Sequence, residues 1–157
     1  MLFKYLIVFF VSMIPILELR FAVPFAVGMD LPYVPALITC VLGNIVPVPF
    51  VYVFGRSILH WGSHKKYIGT LCGKILIKGE QAGERIIAAT GRGGVFLALM
   101  LFVGIPIPGT GAWTGTLAAS LLKLGPKRTA AAVSLGVIMA GVIMALASGS
   151  VFHIIGL

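Results

Sequence analysis

The residues IPIPGTG, Ile105 to Gly111, stand in the middle of a 29-residue apolar stretch, 94–122. Two prolines and two glycines cannot sit inside one continuous helix. Proline removes an amide hydrogen bond, and its ring strikes the preceding turn. Two full spans would need ~40 residues plus a turn, more than the stretch has. Each arm holds about 11 residues, or ~17 Å at a helical rise, roughly half of a ~30 Å hydrocarbon core. The lengths predict a re-entrant hairpin that dips in, turns and leaves on the side it entered.

Three more apolar zones surround this one. They cover roughly 2–29, 33–54 and 129–152. The second and fourth are long enough to cross a membrane as helices. Pro47 and Pro49 predict a kink near the end of the second. The fourth reads TAAAVSLGVIMAGVIMALAS from Thr129 to Ser148. In it Ala132, Gly136 and Ala140 fall four apart, as do Gly141, Ala145 and Gly149, rows that allow close helix approach. The first zone resembles the third, with Pro15, Glu18 and Arg20 at its break.

Charge placement tests the hairpin. The stretch 55–93 holds seven basic residues and 123–128 holds three, ten of the twelve in the chain. Both clusters flank the third zone. A single crossing there would put one cluster outside, against the positive-inside rule. A hairpin keeps both in the cytoplasm. Zone four then carries the C-terminus out, zone two descends to Arg56, and zone one dips in from outside beside the charge-poor MDLPYVP loop (Met29 to Pro35). Lys4 is the exception on the outer side.

The expected fold is therefore an all-α membrane protein in a single domain, 1–157. It consists of two inverted repeats, 1–54 and 94–157, each a re-entrant helical hairpin followed by a transmembrane helix. A basic amphipathic interfacial helix within 55–93 joins them, with Ile68, Leu71, Cys72, Ile75 and Leu76 at helical spacing. Ile14-Pro15-Ile16 matches Ile105-Pro106-Ile107. Leu42-Gly43 matches Leu135-Gly136, with two extra residues in the second half.

Composition agrees with a lipid environment. The chain is 59 % hydrophobic and 10 % charged, where soluble domains are nearer a quarter charged. The net charge of +8 sits in loops between apolar segments, so it is no sign of nucleic-acid binding. The run Tyr5 to Met13 has no small-x-small cleavage site after it and reads as part of the mature chain. No phosphate-binding loop, nucleophile elbow or dinucleotide fingerprint occurs, and no enzyme or cofactor is expected. His60 and His64 share a helical face with Cys72 nearby, but a fourth ligand is lacking, so no metal site is expected. Cys40 and Cys72 lie far apart and read as small fillers without a disulfide.

Irregular backbone at bilayer depth needs protein or a water-filled cavity around it. The two tips should therefore meet near the midplane, where transporters place their sites. Glu18 and Arg20 lie at the first tip, where each charge costs ~2.5–3.5 kcal/mol to insert. Glu18 reads either as a proton or cation site or as a structural satisfier of the unwound tip. Arg20 reads either as an anion contact or likewise as structural. The repeat alignment sets Glu18 and Arg20 against Gly109 and Gly111, so bare backbone leaves room opposite the charged side chains, an asymmetry that suits a small polar site. Pro24, Pro106 and Pro108 mark the broken arms, Thr110 offers a hydroxyl, and Trp113 either lines the site or packs. Asn44 lines the site or bonds between helices.

The runs ELRFAVP (Glu18 to Pro24), LGNIVPVP (Leu42 to Pro49) and IPIPGTGAWTG (Ile105 to Gly115) carry a resemblance. The chain resembles the small multidrug export protein family over nearly its whole length. More distantly it is similar to the DedA superfamily, whose members carry two re-entrant hairpins. That likeness implies lipid-phosphate translocation and dependence on the proton-motive force, but the glycine-lined second tip departs from the acidic and Arg residues of DedA tips. The first expectation is a secondary transporter of a small or amphipathic, and in one form anionic, solute, with proton coupling through Glu18. The alternatives are a DedA-like lipid translocase or scramblase, and a non-transporting scaffold that assembles through zone four. Membrane lipids are the expected surroundings. A homodimer is expected, because one copy has a thin wall around any midplane cavity.

Overall fold

The computed structural model describes residues 1–157 except 16, 66–67, 108–109 and 156–157, and leaves aside the side chains at 78–80, 82–84, 86–87, 92 and 149–155. Its described elements are all α-helices: α1 (Leu2–Met13), α2 (Glu18–Gly28), α3 (Tyr33–Ile45), α4 (Val48–Ser63), α5 (Gly69–Gly104), α6 (Ala112–Leu121) and α7 (Pro126–Ile155).

The two breaks fall where the prolines predict. α1 stops at Met13, and Ile14 turns extended (ψ 129°). α5 stops at Gly104, and Ile105 does the same (ψ 118°). The arms have the expected half-membrane lengths, 12 residues in α1, 11 in α2 and 10 in α6. α5 contains a second break that was read from the sequence as an element boundary. Gly91 adopts φ 66°, ψ 178°, a region that favours glycine, and separates 69–90 from the apolar arm Gly93–Gly104.

Zone two runs longer than its apolar limit at 54. α3 and α4 form one kinked rod, Tyr33–Ser63, because Val46 and Pro47 keep helical dihedrals. Arg56 and His60 thus belong to the long helix, not to the connector. Pro47 and Pro49 cap and open α4, which accounts for the kink. With Pro126–Ser148 this rod is one of two helices long and apolar enough to cross a membrane. Its outward side chains, Phe50, Val53, Phe54 and Ile58, are more than half exposed, as lipid contact requires.

Short turns set the helix directions. Lys4 Nζ donates to Met29 O (2.8 Å), so the start of α1 lies at the end of α2 and the pair is a closed hairpin. The lysine thus sits at the C-terminus of α2, where a cation is favoured. The turns α2–α3 and α6–α7 share one construction. Asp30 and Lys123 are left-handed (φ 55° and 53°). Around them Leu31 N bonds Ala26 O, Asp30 N bonds Val27 O, Leu124 N bonds Ala119 O and Lys123 N bonds Ser120 O. Both are Schellman closures. Each first arm therefore runs in the direction of the long helix that follows it. Tyr33 Oη donates to Ala145 O and Tyr52 Oη donates to Leu124 O (2.6 Å), so α3–α4 and α7 run in opposite directions. The two hairpins consequently point in opposite directions.

Close crossings hold each hairpin to its long helix. A Cβ on Gly43 would lie 2.5 Å from Phe9 O and 3.1 Å from Ser12 Cβ. One on Gly136 would lie 2.7 Å from Met100 O and 2.8 Å from Val103 Cβ. Ser12, fully buried, donates to Cys40 O (2.5 Å) across the first crossing. The small rows of α7 are used inside the chain. Ala132, Gly136 and Ala140 are buried, and Gly141 faces Leu37, Val41 and Leu19. They are not an open face for a second molecule.

In the segment 69–90 the expected apolar stripe divides. Leu76 is buried and Cys72 turns toward Gly62, whereas Ile68, Leu71 and Ile75 stay exposed. Both cysteines are free.

Candidate functional site

Glu18 opens α2 in the left-handed region (φ 48°), a conformation that costs a glutamate of order 1 kcal/mol. The reward is placement. Its side chain is buried (6 % exposed) and crosses to the other hairpin. Oε1 accepts from the Trp113 amide (3.3 Å), and the carboxylate also faces the Ala112 amide. These are the first amides of α6, which no carbonyl within the helix can satisfy. A carboxylate of one tip thus caps the helix of the other, in favourable register with its dipole.

Gly111 makes this possible. A Cβ there would overlap the Glu18 carboxyl group. The sequence alignment placed Gly109 opposite Glu18. Gly109 and Pro108 lie outside the described residues, and the residue against Glu18 is Gly111. The bare backbone is also not an open space: Glu18 fills it. Gly111→Ala is expected to push the tips apart and lower stability by about 1–3 kcal/mol, the usual cost of overpacking. In a Glu18→Ala background the same change should cost much less, measured by thermal unfolding of both single variants and the double. Equal losses in the two backgrounds would sink the contact.

Arg20 is half-buried one step along α2 and donates to Thr110 Oγ1 (2.6 Å). The Thr110 hydroxyl lies 2.9 Å from both Ile105 O and Ile107 O, carbonyls of the broken segment that also accept the Ile107 and Thr110 amides. Pro106 lies in this extended segment. Pro24 inside α2 lacks the amide that would reach back to the Arg20 carbonyl, so the arm is loosened behind the tip.

Trp113 both packs and binds. Its indole N–H donates to Met13 O (3.1 Å), the last residue of α1, while its ring lines a groove against α4. Both tips are thereby stitched by side chains from each: Glu18 and Arg20 from the first, Thr110 and Trp113 from the second. Asn44 is buried (3 %), and its Oδ1 accepts no hydrogen bond among the described residues. Helical spacing puts it on the face of Leu37 and Val41, which packs toward Leu19 and Gly141.

Sequence reasoning missed Tyr33 and Tyr52, the two hydroxyls that join the long helices, and Ser12. Two tyrosines in one apolar zone, Tyr33 at its start and Tyr52 near its apolar limit at 54, were the available signal. His60 and His64 stack with His64 Nδ1 on His60 O (2.8 Å), and no group of three metal-binding side chains gathers among the described residues.

Two membrane-long apolar helices among the described residues and a charged junction between broken half-helices fit an integral membrane protein. The chain belongs to the family described as "Putative small multi-drug export protein", whose profile it matches over residues 18–143. The match begins at Glu18 and includes both tips from there on. No curated protein and no solved structure matches the chain.

Proposed function

We propose that this protein is a secondary transporter in which two inverted repeats send re-entrant hairpins into the membrane from opposite faces. The single observation that carries it is the Glu18 carboxylate of one tip capping the α6 N-terminus of the other. A charge held at that depth requires a use, and this one sits on the contact that would have to open for a solute to pass.

Repeat symmetry is supported by matched contacts. Before the tips, equivalent residues differ by 91 in number: Phe9 and Met100, Ser12 and Val103, Ile14 and Ile105. After the tips they differ by 93: Asp30 and Lys123, Leu31 and Leu124, Gly43 and Gly136. The two added residues therefore fall within the second tip. With the hairpins opposed, 64–93 and 123–128 would both be cytoplasmic and both termini outside, in the cell membrane. The exposed Ile68, Leu71 and Ile75 would rest segment 69–90 on the lipid interface. The protein would be a homodimer, through surfaces other than the buried rows of α7.

In operation, protonation of Glu18 would remove the anion from the α6 dipole and free the tips to part. The emptied amides and the Arg20 guanidinium would then receive an anionic group of the solute. Release would return Glu18 to its cap. The Glu18 carboxylate and the solute anion thus compete for one helix terminus, so proton and solute favour each other's binding, which is a coupling mechanism without further parts.

Proteoliposomes test this. A pH gradient is expected to raise the flux of a fluorescent amphipathic anion severalfold. Arg20→Ala is expected to lower that flux about tenfold, the loss of a charge-assisted hydrogen bond. The groove that Trp113 lines against α4, rimmed by the exposed Phe54 and Ile58, favours a second reading, a lipid translocase of the DedA kind. Fluorescent-lipid flipping that is indifferent to the gradient would replace the first reading with that one. Absence of any flux would leave a scaffold.

A further inference from the structure

α4 and the start of α7 enclose a groove of about 290 Å³, at the small end of ligand pockets. Val48, Pro49 and Val53 form one wall, and Pro126, Lys127 and Ala130 the other. Val48 is buried at the floor, whereas Val53, Lys127 and Ala130 are exposed at the rim, so the groove opens on the outside of the bundle. Its two hydroxyls are already engaged: Tyr52 Oη (2.6 Å) and Thr129 Oγ1 (3.2 Å) both donate to Leu124 O. Among the described residues, Lys127 is the lining side chain left with free donors.

That charge has no answer on its own face. Lys123 and Arg128 flank Lys127 and are exposed with it. The four acidic residues of the chain are Glu18, Asp30, Glu80 and Glu84, and none lies on either wall. A second copy is a poor occupant, because a two-fold contact would bring the same cations to the same face. A phospholipid with an anionic head group supplies both needs, an acyl chain for the walls and a phosphate for Lys127.

The other repeat provides an internal comparison. Tyr33, Ala36, Leu37 and Ala145 stand 93 residues from Pro126, Thr129, Ala130 and Tyr52, and they line the equivalent position. Only about 10 Å³ is open there, and Val34 stands where Lys127 would be. Of the two equivalent positions, the one with the cation is the one with the groove.

We propose that this groove binds one anionic phospholipid from the leaflet that 123–128 faces, its acyl chain between α4 and α7 and its phosphate at Lys127. The acyl chain gains little by leaving bulk lipid, which is equally apolar. Selection therefore falls to the head group. Binding here requires no transport, so it stands or falls apart from the transporter reading.

The test uses the full chain in phosphatidylcholine nanodiscs that carry a small share of phosphatidylglycerol with a diazirine in one acyl chain. Adducts are expected on Val53 and Ala130, well above those on Val34 and Leu146, exposed residues at equivalent positions of the other repeat. Added unlabelled phosphatidylglycerol should suppress them, and added zwitterionic phosphatidylethanolamine should not. Lys127→Gln should lower them about fivefold, the weight of one basic residue at an anionic surface. Val53→Trp fills the groove from its exposed rim, where folding is not at stake, and should lower labelling of Ala130. Labelling of Val53 and Ala130 at the level of Val34 and Leu146, or of Ala130 unchanged in Val53→Trp, would overturn the site. Equal suppression by phosphatidylethanolamine, or indifference to Lys127→Gln, would overturn the anionic head group. Oxidative joining of two Val53→Cys copies in native membranes would give the groove to a second copy instead.

Discussion

Glu18→Gln is expected to abolish pH-gradient-driven flux while leaving the protein folded. Glutamine keeps the shape and the acceptor oxygen, so the bond from the Trp113 amide at 3.3 Å survives. The charge is lost, and with it the interaction with the α6 dipole, about 1 kcal/mol at a partly buried helix end. That loss should appear as a small drop in thermal stability. The functional effect should be far larger. The amide imitates a permanently protonated Glu18 and cannot exchange a proton. Solute counterflow without a gradient should continue, and acceleration by the gradient should fall at least tenfold. A variant that still responds to pH as the parent does would remove Glu18 from the coupling. Glu18→Ala tests the structural part separately: it leaves the first α6 amides without their acceptor and should destabilise by ~1–3 kcal/mol.

The largest effect on folding is expected at the two helix crossings. Gly136→Val should prevent recovery of folded protein, and Gly136→Ala should cost about 1–3 kcal/mol, as overpacking does. The obstacle is backbone: a Cβ at 136 meets Met100 O at 2.7 Å and Val103 Cβ at 2.8 Å, and neither can rotate away. Gly43→Ala should behave in the same way against Phe9 O at 2.5 Å. Gly73 provides the contrast. It is helical with nothing within 4 Å of its Cβ position, so Gly73→Ala should be neutral or add up to ~1 kcal/mol by helix propensity. Thermal unfolding in one detergent compares all of them. Tolerance of Gly136→Ala at the level of Gly73→Ala would mean that α5 and α7 do not cross so closely.

The same glycines mark the limit of what could be read in advance. Leu42-Gly43 and Leu135-Gly136 were legible as a repeated pair, but their purpose was not, because a close approach is a property of two helices. The site was partly legible. Glu18, Arg20, Thr110, Gly111 and Trp113 were all expected at the junction, since charges and broken helices in an apolar stretch have few other places. Their partners were not. Glycine opposite glutamate suggested room for a solute, yet that room is taken by the Glu18 carboxylate itself.

By itself the sequence determined the helical membrane class, the two breaks and the half-length arms. These follow from local rules: proline removes an amide, glycine loosens the chain, and apolar length must match a slab. The IPIPGTG tip and its partner at Glu18 were therefore predictable as broken helix. Which amide the carboxylate would cap, that the helix beginning at Tyr33 carries on past the kink at Pro47 to Ser63, and that Ala132, Gly136, Ala140 and Gly141 of α7 serve the chain's own packing were decided only in three dimensions. Each depends on distances between segments far apart in the chain, and composition and spacing carry no measure of those.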